Sequence, residues 1–189
     1  MTIISKDIKL AVKLLKKGGI IAYPTESSYA LGCDGTNEEA KRKICRLKRR
    51  PVGKQMTFIV NSIGVAEKYA ILEKSEKNAA RNLMPGRLTL VCKGRNGGEF
   101  AFRIPSNKIA FNLAKTFGGP ITATSANLSG KEPVFSIKNL IKLYSGKIDM
   151  VLDGGNLPRR RPSTVADVFS GINIRRRGPV SRRMLEGVL

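Results

Sequence analysis

From Lys41 to Lys54 the chain carries eight basic side chains and no acid, closing with "LKRRPVGK" at residues 47–54. Lys48, Arg50 and Lys54 fall where an apparent helix gives way to an extended approach to Pro51. Alternate residues of an extended segment point the same way, so Lys48 and Arg50 can converge. Two convergent cations with a third on a short loop suit a di- or triphosphate. The same residues also suit a helix C-terminus, where cations offset the macrodipole without any ligand. A second cluster is "PITATSANLSG", residues 120–130, in which a β-rich run leads into Ser125, Asn127, Ser129 and Gly130. Beyond a strand end, small hydroxyls and an amide can cradle a phosphate, or simply build a turn. "YPTES", 23–27, sets Thr25, Glu26 and Ser27 after a strand, and "FRIP", 102–105, puts Arg103 on the face opposite Phe102 and Ile104. That arginine could fix a carboxylate or phosphate, or lie exposed.

Composition narrows the chemistry these groups can perform. The chain has no histidine, which excludes Ser-His-Asp and Cys-His mechanisms and His-based zinc sites. Cys33, Cys45 and Cys92 are odd in number and far apart, so no disulfide framework or C-x-x-C knuckle is expected, and a reducing cytoplasm is the simplest setting. The formal charge of +21 predicts attraction to polyanions, although a uniformly Lys-rich surface would give the same total. Neither G-x-x-x-x-G-K-[ST] nor G-x-G-x-x-G after a strand occurs, and the absence of Trp speaks against a base-stacking platform. No apolar run reaches the ~20 residues of a membrane span, and the N-terminus does not read as a signal peptide.

Short elements must position these groups. Residues 6–17 place Ile8, Ala11, Val12 and Leu15 at helical spacing, with Ser5 as cap and Gly18-Gly19 as stop. "GIIAY" reads as a buried strand ended by Pro24, and "PTESSYALGCDG" as irregular. A second helix opens on a Thr36–Glu39 capping box and runs to Pro51. "MTFIV" is a strand, and two short helices fall within 63–83. "RLTLVCK" and "FAFRI" pair about the turn at 94–98. A helix over 107–117, the strand "PITAT", a helix near 136–144 and strands near 148–152, 163–169 and 172–176 follow. Helices alternating with short apolar strands predict an α/β fold with one twisted, mixed sheet in a single domain over 1–189.

In order, "GGIIAYPTESSYALGCDG", "LKRRPVGK", "MPGRLTLV", "FRIP", "ATSANLSG", "LDGG", "STVADV" and "IRRRG" resemble the YrdC-like family in its short, single-domain form. Its best-defined members are L-threonylcarbamoyladenylate synthases. The K-x-R pair Lys48/Arg50 and the S-x-N pair Ser125/Asn127 carry the resemblance most specifically. It implies a single α/β domain, a twisted mixed sheet flanked by helices with a basic concave cleft. It also implies a nucleotidyltransferase making threonylcarbamoyl-AMP and pyrophosphate from L-threonine, bicarbonate and ATP, with Mg2+ accompanying ATP, for the threonylcarbamoyladenosine modification of tRNA at position 37. The resemblance carries ATP binding onto Lys48, Arg50, Lys54, Ser125, Asn127 and Arg176, with Lys48 and Arg50 catalytic, and threonine binding onto Thr25 and Arg103. It implies no metal-ligating residue. Implied partners are tRNA or double-stranded RNA and tRNA threonylcarbamoyl-transfer proteins, and no membrane. The chain departs from the family pattern at Ala30, Ile59, Met84, Arg87 and Pro162. The alternative function is an RNA-binding module without catalysis, which the charge of +21 would favour.

Overall fold

The helical period near the N-terminus produces α1 (Ile8–Lys16), with Ala11, Val12 and Leu15 buried. A computed structural model describes residues 1–51, 53 and 55–189. The cap of α1 is Asp7 rather than Ser5. The Asp7 carboxylate accepts from the N–H groups of Lys9 and Leu10 at 2.8 and 3.1 Å, while the Ser5 hydroxyl accepts from the Asp7 N–H. A full negative charge on two orphan donors makes the stronger cap. Ser5 instead ends β1 (Ile3–Ser5), a strand the sequence reading lacks, parallel to β10 (Met150–Leu152).

The second helix, α2 (Glu38–Lys48), is capped by Asn37, whose Oδ1 accepts from the Ala40 N–H at 2.9 Å. The expected Thr36–Glu39 box does not form. Thr36 gives its hydroxyl and its N–H to Asp34 Oδ1, and Glu39 pairs with Lys43 one turn on.

The described strands form two mixed sheets where one was expected. In the first, β1, β10 and β2 (Ile21–Pro24) run parallel, followed by the antiparallel β3 (Tyr29–Gly32) and β9 (Thr124–Ser125). The second runs in the order β12 (Asn173–Arg176), β11 (Thr164–Asp167), β6 (Leu88–Gly94), β7 (Glu99–Arg103), β4 (Thr57–Ile59) and β8 (Ile121–Thr122), with β5 (Ala70–Ile71) on the last residues of β6. The reason for two sheets lies in "PITAT". Its first half, β8, pairs with β4, and its second half, β9, pairs with β3. Ala123 sits between them, its N–H bonded to the Thr57 carbonyl at 2.7 Å.

Side-chain alternation on β2 and β3 then feeds two cores. Ile21, Tyr23 and Ala30 pack with α1 and α5 (Lys108–Phe117), whereas Ala22, Tyr29 and Leu31 face a larger cluster that includes Ile44 of α2. A sheet covered on both faces reads as a continuous apolar run, which is why "GIIAY" shows no alternation. The helices α3 (Ile63–Ala66), α4 (Lys74–Leu83), α6 (Ile137–Tyr144) and α7 (Arg182–Glu186) complete the fold. Among the described residues no helix is long and apolar enough to cross a membrane.

Candidate active site

Where the chain passes from one sheet to the other, a cavity of about 370 Å³ opens, and Ala123, Thr124 and Ser125 line it. Residues at or just after strand ends supply much of the rest: Thr25 after β2, Arg103 at the end of β7 and Arg176 at the end of β12. Among the described residues Arg50 and Arg160 bring the lining guanidiniums to four, and none of those lining it is acidic. Of the positions that depart from the family pattern, Ala30 and Pro162 are at the cavity wall.

Lys48 and Arg50 both reach the 124–127 segment, by a different backbone route from the one expected. Arg49 adopts the left-handed conformation (φ 50°, ψ 47°), its N–H bonds to the Arg46 carbonyl, and the Arg50 N–H bonds to that of Cys45. This pattern closes a helix end on a left-handed residue, a position that favours glycine. An arginine there costs about 1–2 kcal/mol, and its side chain is exposed to solvent. Arg49→Gly should therefore raise stability by about 1 kcal/mol, read as a higher Tm. A lowered Tm would refute the strain argument.

Past that reversal the two cations part in role. Lys48 is 3 % exposed. Its ammonium donates to the Ser125 carbonyl, to the Asn127 carbonyl at 2.7 Å and to Asn127 Oδ1 at 3.3 Å. The Ser129 N–H returns a bond to the Lys48 carbonyl at 2.9 Å. The Ser125 hydroxyl donates to Asn127 Oδ1, and the Asn127 amide donates to the Lys131 carbonyl. Lys48 and Asn127 thus stand behind the cavity wall and shape the S-x-N loop. Arg50 and Ser125 line the cavity itself, with Arg50 donating to the Gln55 carbonyl at 2.6 Å and to the Thr124 hydroxyl at 3.4 Å. Lys54 lies outside the described residues.

Burial, and then the charge of Arg50, push the Lys48 ammonium down to about 8. Between that value and its usual 10.5 the unfolded chain keeps a proton that the folded chain has shed. Stability therefore rises with pH across this window, while below about 8 the cost of the buried charge is present in full. The loop behaves oppositely, because a neutral Lys48 has one donor fewer for its three acceptors. Affinity of the cavity for a polyanion, measured against pH, should fall as pH rises through about 8, and Lys48→Arg should remove that inflection.

Arg103 is 5 % exposed, which settles the choice between an exposed and a held guanidinium. Its nearest carboxylate is Glu26, at 3.8 Å, and both Arg103 Nε and Glu26 Oε2 are buried without a hydrogen-bond partner. Glu26 Oε1 is fixed by the N–H groups of Ser106 and Asn107, ahead of α5. A guanidinium so loosely matched has capacity left for a carboxylate or phosphate. Thr25 lines the cavity, yet its hydroxyl donates to the Ser28 carbonyl at 2.7 Å and so braces its own turn.

Arg176 donates from Nε to the Ser163 carbonyl and from Nη2 to the Ser163 hydroxyl, both at 3.0 Å. Burial of its guanidinium, then repulsion from Arg103, lower its pKa. Gly178 makes this approach feasible, since a Cβ there would lie 2.3 Å from the Thr164 nitrogen. Gly178→Ala should cost about 1–3 kcal/mol in a thermal melt and weaken whatever Arg176 binds. Ser163, also bonded to Thr89, was missed as a site residue, although "STVADV" had been singled out as a segment. Arg175, one residue before Arg176, serves the fold instead. It grips Glu99 of β7 with two bonds at 2.6 and 2.7 Å and Asp167 of β11 with one at 2.8 Å.

Among the described residues no cluster of three His, Cys, Asp or Glu side chains could hold a metal ion. With hydroxyls and guanidiniums at the wall, the cavity does not fit a resident divalent cation.

Residues 13–178 match the model of the Sua5/YciO/YrdC family, described under the heading telomere recombination. A threonylcarbamoyl-AMP synthase of Cellvibrio japonicus is 31 % identical over 179 residues, 89 % of this chain and 94 % of that protein. The YciO protein of Escherichia coli is 32 % identical over 172 residues, 85 % of this chain and 83 % of that one. Among solved structures, P. abyssi Sua5 complexed with L-threonine superposes with a TM-score of 0.90 at 28 % identity, and E. coli YciO with 0.84 at 28 %. The Sua5 match takes in all of this chain and 61 % of Sua5, so the chain spans about three fifths of that protein, whereas YciO is matched over 98 % of its length. With the family segments in register around one cavity, the chain belongs to the Sua5/YciO/YrdC family.

Proposed function

We propose that the protein is an L-threonylcarbamoyladenylate synthase. The observation that carries this reading is the gathering of four guanidiniums and the S-x-N hydroxyl on one cavity without a lining acid. Such a cavity suits a substrate pair with several negative charges, and a triphosphate together with an amino-acid carboxylate is one. The amine of L-threonine forms a bond to the carbon of bicarbonate, a C–O bond of bicarbonate breaks and water leaves, giving a carbamate. Its oxygen forms a bond to the α-phosphorus of ATP, the bond from that phosphorus to the bridging oxygen breaks, and pyrophosphate leaves with the electron pair. Catalysis needs charge neutralisation and in-line positioning, and no covalent protein nucleophile.

In this reading Arg50 and Ser125 face the phosphates, and Lys48 and Asn127 hold their loop in shape. Arg176 stands by the nucleotide, and Arg103 takes the threonine carboxylate beside Thr25. Mg2+ enters on the oxygens of ATP, as part of the substrate. The product serves the tRNA threonylcarbamoyladenosine pathway in the cytoplasm, passed on by transfer proteins that act on tRNA. The synthase relative favours this reading over an RNA-binding module without catalysis.

The test is pyrophosphate release with ATP and bicarbonate, with and without threonine. Release only when threonine is present is the expected result. Threonine-independent or absent release, with salt-sensitive RNA binding, would return the reading to the binding module.

A further inference from the structure

Arg159, Arg160 and Arg161 are consecutive in the chain, and the fold separates their roles. Arg159 lies over the ring of Phe135, its guanidinium carbon 5.5 Å from the centroid. The Leu157 N–H donates to the Phe135 carbonyl at 2.8 Å. These contacts fasten the irregular segment between β10 and β11 to residue 135, and its far end is tied where the Thr164 N–H meets the Arg87 carbonyl at 2.9 Å. Between the two anchors, Arg160 reaches the cavity wall, while Arg159 and Arg161 do not line it. Arg160 remains solvent-exposed, and among the described residues it makes no hydrogen bond or ion pair.

A fourth guanidinium beside Arg50, Arg103 and Arg176, with no lining acid, is repelled by the charges it faces. Left to itself an exposed arginine would turn to water, and the two anchors hold this one at the wall. We propose that Arg160 is a substrate-binding residue that contacts the polyphosphate of the nucleotide, delivered to the cavity by the docking of its segment on Phe135. The inference rests on the ATP-using function above. Because Arg160 starts exposed, it gives up little hydration until an anion enters. Its planar fork can then take two phosphate oxygens together.

The experiment measures the affinity of the full chain for ATP by calorimetry and the KM for threonine in the pyrophosphate assay. Arg160→Ala should weaken ATP binding about 10-fold and leave the KM for threonine unchanged. Arg160→Lys should recover part of the loss, and Arg161→Ala should stay within about twofold. Phe135→Ala should also weaken ATP binding, and adding Arg160→Ala to it should cost less than in the wild type, since the segment has already lost its ring contact. Equal ATP affinity in Arg160→Ala and Arg161→Ala overturns the proposal, as does a loss that falls on threonine instead. A wild-type chain that does not bind ATP overturns the synthase reading along with it.

Discussion

Arg50→Ala is expected to lower threonine-dependent pyrophosphate release by about 10²–10³-fold while leaving the thermal melt close to that of the wild type. The guanidinium lines the cavity, and the bonds described for it include those to the Gln55 carbonyl and the Thr124 hydroxyl, at the wall rather than in the core. Lys48→Ala should also abolish turnover, by a different route. It would strip three acceptors in the S-x-N loop of their common donor, two of them backbone carbonyls. Leaving buried acceptors unmatched costs about 1–3 kcal/mol, so Lys48→Ala should melt earlier as well as lose activity. Sequence spacing made these two cations equivalent, and the melt separates them. Wild-type turnover in Arg50→Ala would remove it from the reaction, and a wild-type melt in Lys48→Ala would refute its role as a tether.

The second large effect is expected at Arg103. Arg103→Ala should reduce kcat/KM for threonine by about 10²–10³-fold, with a much smaller change in ATP affinity. Truncation removes the cation and also leaves Glu26 Oε2 buried with no charge to face. Arg103→Lys should recover little, because an ammonium cannot offer two parallel donors to a carboxylate. Kinetics at saturating ATP give the answer, and an unchanged KM for threonine would move the carboxylate site elsewhere.

Most helices were legible because three or four apolar residues at helical spacing survive any tertiary context, and α1, α2 and α5 are all of this kind. The caps slipped by one or two residues. Ser5 and Asp7, or Thr36 and Asn37, are both competent side chains, and the path of the backbone into the helix chooses between them. The strands β1 and β3 were not legible. Three or four residues carry no resolvable period, and β1 exists through pairing with residues nearly 150 positions away. The single expected sheet became two because a five-residue β-rich run cannot announce that its halves pair with different partners.

The sequence by itself determined the chemical inventory: no imidazole, a large excess of cations, the K-x-R and S-x-N pairs, and with them the family. The tertiary structure decided which members of each pair meet a ligand. Lys48 turns inward because it lies one helical turn after the buried Ile44, and it reaches acceptors 77 and 79 residues away because the chain changes sheets at Ala123. Arg160 and Arg176 reach the same cavity while Arg175 holds the second sheet together. Local spacing sets the direction of a side chain relative to its own backbone. The partner it meets depends on long-range strand pairing, and that is settled only when the whole core packs.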